Sequence, residues 1–245
     1  MKKAALALVL CLSFIGHAQA QNAAPSQQAD QAALAEKFRE THAAAERGDA
    51  VSQFNLGLMY FGGRGVAQDE AQAAAWFRKA ADQGVPGSQH NLGFMYAKGQ
   101  GVPKDDAQAA LWYRKAADQG YTASQFNLGM MYMTGNGVPQ DDVQAAMWVR
   151  KAADQGDAMA QASLGRMYET GRGVPRDEAQ AAVWHRKAAA KGDARAQTSL
   201  GMMYATGAGV PRDEAQALVW LRKAADQGDD TAKVFLRALE STGGK

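Results

Sequence analysis

Hydrophobic and polar positions along the chain repeat with a period of 36 residues. The segment Leu56-Gly57-Leu58-Met59-Tyr60 returns in closely related form, and its leucine recurs at Leu92, Leu128, Leu164 and Leu200. The tryptophans keep the same period, at Trp76, Trp112, Trp148, Trp184 and Trp220. A constant period without insertions is typical of one supersecondary unit stacked on itself. We therefore predict an extended solenoid.

Each unit is predicted to contain two helices joined by a glycine-rich turn. The first helix runs from about Ala50 to Phe61, and the glycines after it can adopt the backbone conformation that ends a helix. The second helix starts after Asp69, which forms a capping-box pattern with Gln72 three residues later, and ends at Gly84. No segment alternates with period two, so no strand is predicted.

Comparing the copies separates two faces of the first helix. At 3.6 residues per turn, the positions that are identical or nearly so in every copy fall within an arc of about 120°. These positions are Gln53, Leu56, Met59 and Tyr60 in the first copy. The positions that vary lie on the opposite side, at Val51, Phe54, Leu58 and Phe61. We interpret the first set as a stacking face and the second as a free face.

The repeated motifs resemble the Sel-1-like repeat family, which is related to the tetratricopeptide repeat. The motifs are Ala-x-x-x-Leu-Gly-x-Met-Tyr, Gly-x-Gly-Val, Asp-x-x-x-Ala and Trp-x-x-Lys-Ala-Ala with a closing Gly. The resemblance implies an all-α, right-handed α/α solenoid of five 36-residue helix-turn-helix repeats with N- and C-terminal capping helices. The expected repeats are 49–84, 85–120, 121–156, 157–192 and 193–228, between an N-terminal capping helix at 30–48 and a C-terminal capping helix and tail at 229–245.

By the same resemblance, the free face of the first helices lines a concave groove that binds an extended peptide. Apolar side chains would contact the ligand, asparagines would hydrogen-bond its backbone, and two arginines would meet an acidic group. The alternative is that the asparagines bond locally and that the Phe and Met side chains pack between neighbouring helices. The candidate groove residues are Val51, Phe54, Asn55, Leu58, Phe61, His90, Asn91, Phe94, Phe126, Asn127, Met130, Met133, Arg166 and Arg195.

The N-terminal sequence predicts export. Lys2 and Lys3 precede the apolar stretch 4–15, and Ala18-Gln19-Ala20 fits a signal-peptidase site, so we expect a signal peptide at 1–20, cleaved after Ala20, and a flexible leader at 21–29. Cleavage would also remove the single cysteine. Because two of the 27 basic residues are lost with the signal peptide, the mature chain would carry 25 basic and 25 acidic residues. A balanced charge argues against a nucleic-acid or polybasic membrane partner.

The remaining polar motifs predict no catalytic, cofactor-binding or metal-binding residues. His42, His90 and His185 are isolated from one another, so no metal site is expected, and His90 is expected to fill space as an aromatic side chain. Acidic pairs such as Asp105-Asp106 stand where helix capping explains them. The Arg-Lys pair of each second helix is expected to be solvated.

These inferences predict a function as an exported protein–protein interaction scaffold. We expect a monomer in the periplasm or outside the cell, without stable membrane insertion, that acts as an adaptor or regulator in the cell envelope. Two alternatives remain at this point. One is a binder or hydrolase of cell-wall fragments or β-lactam-type ligands, which some cysteine-rich relatives suggest, and the other is a structural subunit of an envelope complex.

Overall fold

The computed structural model describes residues 25–242, and its side chains are described from Ala29 onwards. The predicted signal peptide and the first part of the leader lie outside these residues. Within them the chain forms twelve helices and no strand. The first helix starts at Pro25, inside the segment expected to be a flexible leader. The helices are α1 (Pro25–Glu46), α2 (Ala50–Gly62), α3 (Glu70–Asp82), α4 (Pro86–Lys98), α5 (Asp106–Asp118), α6 (Thr122–Thr134), α7 (Asp142–Asp154), α8 (Ala158–Thr170), α9 (Glu178–Ala190), α10 (Ala194–Thr206), α11 (Glu214–Asp226) and α12 (Asp230–Thr242).

Helix starts and ends follow the repeated turn chemistry. The carboxylate of Asp69 accepts a hydrogen bond from the backbone N–H of Gln72 at 2.9 Å, as the capping-box pattern predicts. Gly63 follows α2 with φ of 64°, a left-handed conformation that glycine adopts without steric cost, and its N–H bonds to the carbonyl of Met59. The same aspartate cap recurs at Asp105, Asp141, Asp177 and Asp213.

The helices of the five repeats form an all-α solenoid. The chain divides into two compact units. The first unit contains the chain up to Ser88 and Gln100–Val102, and within it α2 packs on α1 and α3. The second contains Gln89–Gly99 and the chain from Pro103, and within it consecutive helices pack from α5 to α12.

The predicted stacking face is buried. Gln53, Leu56 and Met59 are buried in α2, while Tyr60 is half-buried. Gly57 allows α3 to approach closely, because a Cβ there would lie 2.6 Å from the Phe77 ring. The side chain closest to this position is that of Phe77.

The Arg-Lys pairs, which the sequence predicts to be solvated, also make specific contacts. Arg186 and Lys187 are both exposed. Arg186 donates a hydrogen bond to the hydroxyl of Tyr204 in the next repeat at 2.9 Å. Lys187 lies 3.9 Å from the ring centroid of Trp184 in its own helix. The arginine contact connects successive repeats, whereas the lysine makes a cation–π contact within its own helix. Arg114 and Arg150 bond in the same way to Tyr132 and Tyr168.

Candidate functional site

None of the predicted groove residues belongs to the buried core. In the first unit Val51, Asn55 and Leu58 are exposed, whereas Phe54 and Phe61 are half-buried. Phe54 lies 6.0 Å from the Phe77 ring, centroid to centroid, so part of its surface packs within the repeat. The free face of α2 is therefore accessible, although its aromatic side chains are partly covered by the protein.

In the second unit, three predicted groove residues line one recess. Phe94, Asn127 and Met130 surround a volume of about 530 Å³ between repeats 2 and 3. Phe94 also packs against the core cluster that contains Leu128. We call this cavity recess 2/3, and its lining residues are Phe94, Ala97, Lys98, Lys104, Asp106, Tyr113, Asn127, Met130, Met131, Thr134 and Asn136.

Asn127 is held inside recess 2/3 by the buried Tyr113. Burial raises the pKa of the Tyr113 hydroxyl to about 12, and a side-chain hydrogen bond with Asn127 acts in the opposite direction. The hydroxyl consequently stays protonated at physiological pH. An amide has two donors and a carbonyl oxygen, so Asn127 retains hydrogen-bonding capacity toward a ligand. The local bond and the ligand-binding role expected for this residue are therefore compatible.

Other predicted groove residues pack between neighbouring elements. Phe126 and Met133 lie against the buried cluster that contains Leu164, as the packing alternative expects. Half-buried Asn91 and the exposed Arg166 and Arg195 do not line recess 2/3. The free face is thus heterogeneous, with some positions that serve packing and others that remain open.

His90 fills space among aromatic side chains, as the sequence predicts. Its ring centroid lies 5.0 Å from that of Tyr121 and 5.5 Å from that of Tyr113. Nδ1 of His90 is 2.9 Å from the Oγ of Ser124, within hydrogen-bonding distance. Burial lowers the pKa of this imidazole, because desolvation disfavours the charged form. His90 is therefore a packing residue that can titrate.

A second recess lies 72 residues further along the chain, between repeats 4 and 5. Its volume is about 280 Å³. Ser199, Met202 and Thr206 occupy the repeat positions that Asn127, Met130 and Thr134 occupy in recess 2/3. We call it recess 4/5, and its lining residues are Glu169, Arg176, Glu178, Ser199, Met202, Met203, Thr206 and Ala208.

The gaps between adjacent repeats differ at one variable position of the turn. Between repeats 3 and 4 the long side chain of Arg172 reaches Asp142, with Nε 2.8 Å from Oδ1, and donates to the carbonyl of Met133 at 2.6 Å. The corresponding residues are the shorter Asn136 in recess 2/3 and Ala208 in recess 4/5. A long side chain therefore crosses the gap between repeats 3 and 4, and shorter side chains line recess 2/3 and recess 4/5.

Glu169 stands at the free-face position of Phe61, but sequence reasoning missed the charged residues at the start of the second helices. The acids at the start of each second helix were explained by capping alone, and this is correct for Asp105, which accepts from the N–H of Gln108 at 2.9 Å. Its neighbour Asp106, like Glu178 two repeats later, lines a recess instead. The sequence contained a signal for this role. Only the first acid of each pair stands at the N-cap position, so capping does not explain the second acid.

The described residues contain no group of three or more His, Cys, Asp or Glu side chains placed to hold a metal ion. Over the same part of the chain, no helix combines the length and apolar character needed to cross a membrane.

The Sel1 repeat pattern matches this chain five times in succession, at residues 50–85, 86–121, 122–157, 158–193 and 194–229. Among solved structures, the chain is similar to c5321, a protective antigen present in uropathogenic Escherichia coli strains that displays an SLR fold. The two are 41% identical with a TM-score of 0.83, over 86% of this chain and 45% of the E. coli chain. This chain thus spans less than half the length of that relative.

A Sel1 repeat protein from Oxalobacter formigenes is 34% identical, with a TM-score of 0.74 over 82% of this chain and 86% of that one. No match was found among curated proteins. The five consecutive matches cover most of the sequence, and the periodic turns, buried leucines and stacked helix pairs agree with them. The chain belongs to the Sel1 repeat family.

Proposed function

We propose that this protein is an exported interaction scaffold that binds an extended protein segment on the free face of its first helices. Sel1 repeat proteins are generally protein–protein interaction scaffolds and are typically non-enzymatic. The observation that carries the proposal is recess 2/3, where Phe94, Asn127 and Met130 surround about 530 Å³ of open space. We term the site formed by the two recesses the first-helix face of the second unit.

The chemistry of recess 2/3 favours a peptide. Phe94 and Met130 are half-buried, so each keeps apolar surface available to a ligand, and methionine adapts readily to different side chains. Asn127 can hydrogen-bond a peptide backbone, which has both donors and acceptors at regular intervals. Apolar walls with a few polar groups are the usual composition of a binding site.

The first unit contributes a corresponding set of side chains. Val51 is 63% exposed and Leu58 40% exposed, which is high for apolar residues on one helix face. Asn55 is exposed beside them. We propose that this part of α2 also contacts a partner, independently of the recesses of the second unit.

Export is part of the proposal. Lys2 and Lys3, the apolar stretch 4–15 and Ala18-Gln19-Ala20 support a signal peptide, and the mature protein would be a monomer of the periplasm or the exterior. Mass spectrometry of the protein recovered from a periplasmic extract would then give an N-terminus at Gln21. A protein that retains Met1 in the cytoplasm would contradict export.

Peptide selection tests the binding proposal. A phage-displayed library of random linear peptides is panned against the full chain, and the affinity of enriched peptides is measured by fluorescence anisotropy. Met130→Arg should abolish binding, because it places a charge in the recess at a position where Arg166 shows that the repeat accommodates arginine. The matched control is Leu111→Arg on α5, which changes an exposed apolar residue outside the recess. Equal binding by both variants would contradict the proposal, and so would the absence of any enriched peptide.

A further inference from the structure

We propose that the two recesses select a bound segment with charges of opposite sign, a lysine or arginine side chain in recess 4/5 and an acidic side chain in recess 2/3. This inference rests on the proposed function, because it specifies the ligand of the same face. The inference is based on a comparison of the two recesses. They are copies of one site, but they differ in the charge that remains after their internal ion pairs are taken into account.

The frame of the site is the same in both copies. Met130 and Met131 correspond to Met202 and Met203, and each pair lines its recess beside a threonine. The aliphatic stem of a long charged side chain can lie against such apolar walls while its head group reaches a counter-ion. About 280 Å³ lies at the lower end of the volumes of ligand sites, so recess 4/5 suits one side chain.

Each recess contains an internal ion pair at the same place. In recess 2/3 the Nζ of Lys104 is 3.5 Å from Oδ2 of Asp106. In recess 4/5 the Nη2 of Arg176 is 2.5 Å from Oε1 of Glu178. These pairs largely offset their own charges. The charge left over decides what each recess attracts.

The residual charge of recess 4/5 is the carboxylate of Glu169. This side chain is 32% exposed, and its Oε1 lies 3.2 Å from Nε2 of His185, whose side chain is only 3% exposed. No hydrogen bond of good geometry is formed by either ring nitrogen of His185 among the described residues. The carboxylate of Glu169 lines the recess, so its oxygens remain able to accept a hydrogen bond from a cationic side chain of a ligand.

The location of His185 supports this assignment. The corresponding positions in the other repeats hold apolar or aromatic residues that pack opposite the glycine of the first helix, namely Phe77, Tyr113, Val149 and Leu221. His185 packs in the same way, with its ring against Gly165. Among the five repeats, an imidazole stands at this core position only in repeat 4. Repeat 4 is also the repeat in which Glu169 stands near the end of the first helix.

Recess 2/3 has the opposite residual charge. Lys98 lines it, and among the residues that the structure describes Lys98 forms no ion pair. Ala97 stands where recess 4/5 has Glu169, and Lys98 stands where it has Thr170. Complementary charges give specificity and orientation to a bound segment, so the pair of recesses would fix its direction along the face.

The peptides enriched by panning on the full chain are the probe for this inference. We expect them to contain a basic and an acidic residue at a constant spacing. A synthetic copy with glutamine in place of the basic residue should bind the unaltered protein about tenfold more weakly, the usual worth of a charge-assisted hydrogen bond. This difference should disappear in Glu169→Gln, a substitution that preserves side-chain shape, with circular dichroism as the check on folding.

A second experiment transfers the residues of recess 4/5 to recess 2/3. The double variant Ala97→Glu/Lys98→Thr reproduces Glu169-Thr170 in recess 2/3 and should reverse its preference from acidic to basic peptides. Enriched peptides without opposite charges, or a glutamine copy that is equally weakened in Glu169→Gln, would overturn the inference. If such peptides remain sensitive to Met130→Arg, the proposed function stands and only the charge selection fails. If no peptide is enriched, both fail.

Discussion

Repeats 3 and 4 meet across a gap that a side chain crosses, whereas repeats 4 and 5 meet across an open recess. At both places the second glycine of the turn approaches the start of the preceding second helix, at Gly173 near Asp142 and at Gly209 near Glu178. The difference lies at the residue before this glycine. Arg172 bonds to Asp142, while Ala208 leaves the corresponding space free.

The comparison separates two kinds of sequence position. Residues that every repeat shares set the distance and alignment of neighbouring repeats, because they make backbone approaches and fill the core. Residues that differ between repeats, such as Arg172 and Ala208, are expected to decide whether the gap is available to a ligand. Stacking and binding can therefore be altered by different substitutions.

The largest expected effect comes from the shared glycine. A Cβ added at Gly173 or Gly209 would overlap the carbonyl oxygen of Asp142 or Glu178, and the positive φ of both residues adds strain. We expect each alanine substitution to lower the free energy of unfolding by about 3 kcal/mol. Urea denaturation followed by circular dichroism measures this.

The matched control is Gly192→Ala. Gly192 also has a positive φ, 91°, but a Cβ there would meet nothing within 4 Å. Conformational strain alone should cost about 1 kcal/mol. If Gly173→Ala were as mild as Gly192→Ala, the backbone approach would not govern stacking.

Replacing Arg172, the variable residue before the glycine, should lower the free energy of unfolding less than replacing the glycine itself. Arg172→Ala removes the hydrogen bond to Met133 and a half-exposed ion pair with Asp142, so we expect a loss of about 1 kcal/mol after allowance for solvent screening. Arg195→Ala, at an exposed arginine, is the control and should change the free energy of unfolding by less than about 0.5 kcal/mol.

The reverse exchange, Ala208→Arg, should close recess 4/5 and weaken peptide binding without loss of stability. Anisotropy titration with an enriched peptide measures the first effect and urea denaturation the second. Unchanged binding by Ala208→Arg would show that the residue before the glycine does not control access.

Repeat 4 also lacks one polar contact that its neighbours have. In repeat 5, Gln227 donates to the side-chain oxygen of Gln197 at 2.8 Å, but Lys191 stands at the corresponding position in repeat 4 and bonds to the carbonyl of Gly156. The side-chain oxygen of Gln161 is left buried without a partner. Lys191→Gln should therefore raise the free energy of unfolding by about 1 kcal/mol.

The converse variant, Gln227→Lys, should destabilise repeat 5 by a similar amount, and thermal unfolding of both variants checks the pair. A loss of stability in Lys191→Gln would show that the lysine contact outweighs the missing amide bond.

The smallest expected effect extends the comparison to repeats 2 and 3, which are joined by a contact that can titrate. Because burial lowers the pKa of His90 in the folded protein, the unfolded chain binds the proton first as the pH falls through about 6.5. Above that pH, His90 is neutral in both the folded and the unfolded chain and does not affect stability. Below it, the free energy of unfolding decreases until the pH reaches the lowered pKa that His90 has in the folded protein.

The double variant His90→Phe/Ser124→Ala reproduces the pair Phe126 and Ala160 one repeat later. We expect it to flatten the fall in stability that begins as the pH drops below the ordinary histidine pKa of about 6.5. Urea denaturation at several pH values measures the slope. An unchanged slope would assign the acid sensitivity to another group.

Most of the fold could be predicted from the repeated residues. The aspartate caps, the glycine turns and the buried Leu56 and Met59 lie as expected, because each depends on local backbone chemistry or helical periodicity. The contact of Arg186 with Tyr204 was not predicted, because Tyr204 belongs to another repeat and the contact is not visible in either helix alone.

The candidate site was predicted only in part. Periodicity located the free face and hence Phe94, Asn127 and Met130, but Lys98, Asp106 and Glu169 were not selected as site residues. Their function depends on the space between two repeats, and that space depends on side-chain length at positions 136, 172 and 208.

The sequence by itself determined the helix pairs, their number and their order, because a 36-residue period of caps, turns and apolar positions acts through short-range interactions repeated five times. Only the tertiary structure decided which variable side chains meet. Glu169 approaches His185, Arg172 bonds to Asp142, and Ala208 leaves a recess, since these relations arise when separate helices pack and the local pattern does not contain them.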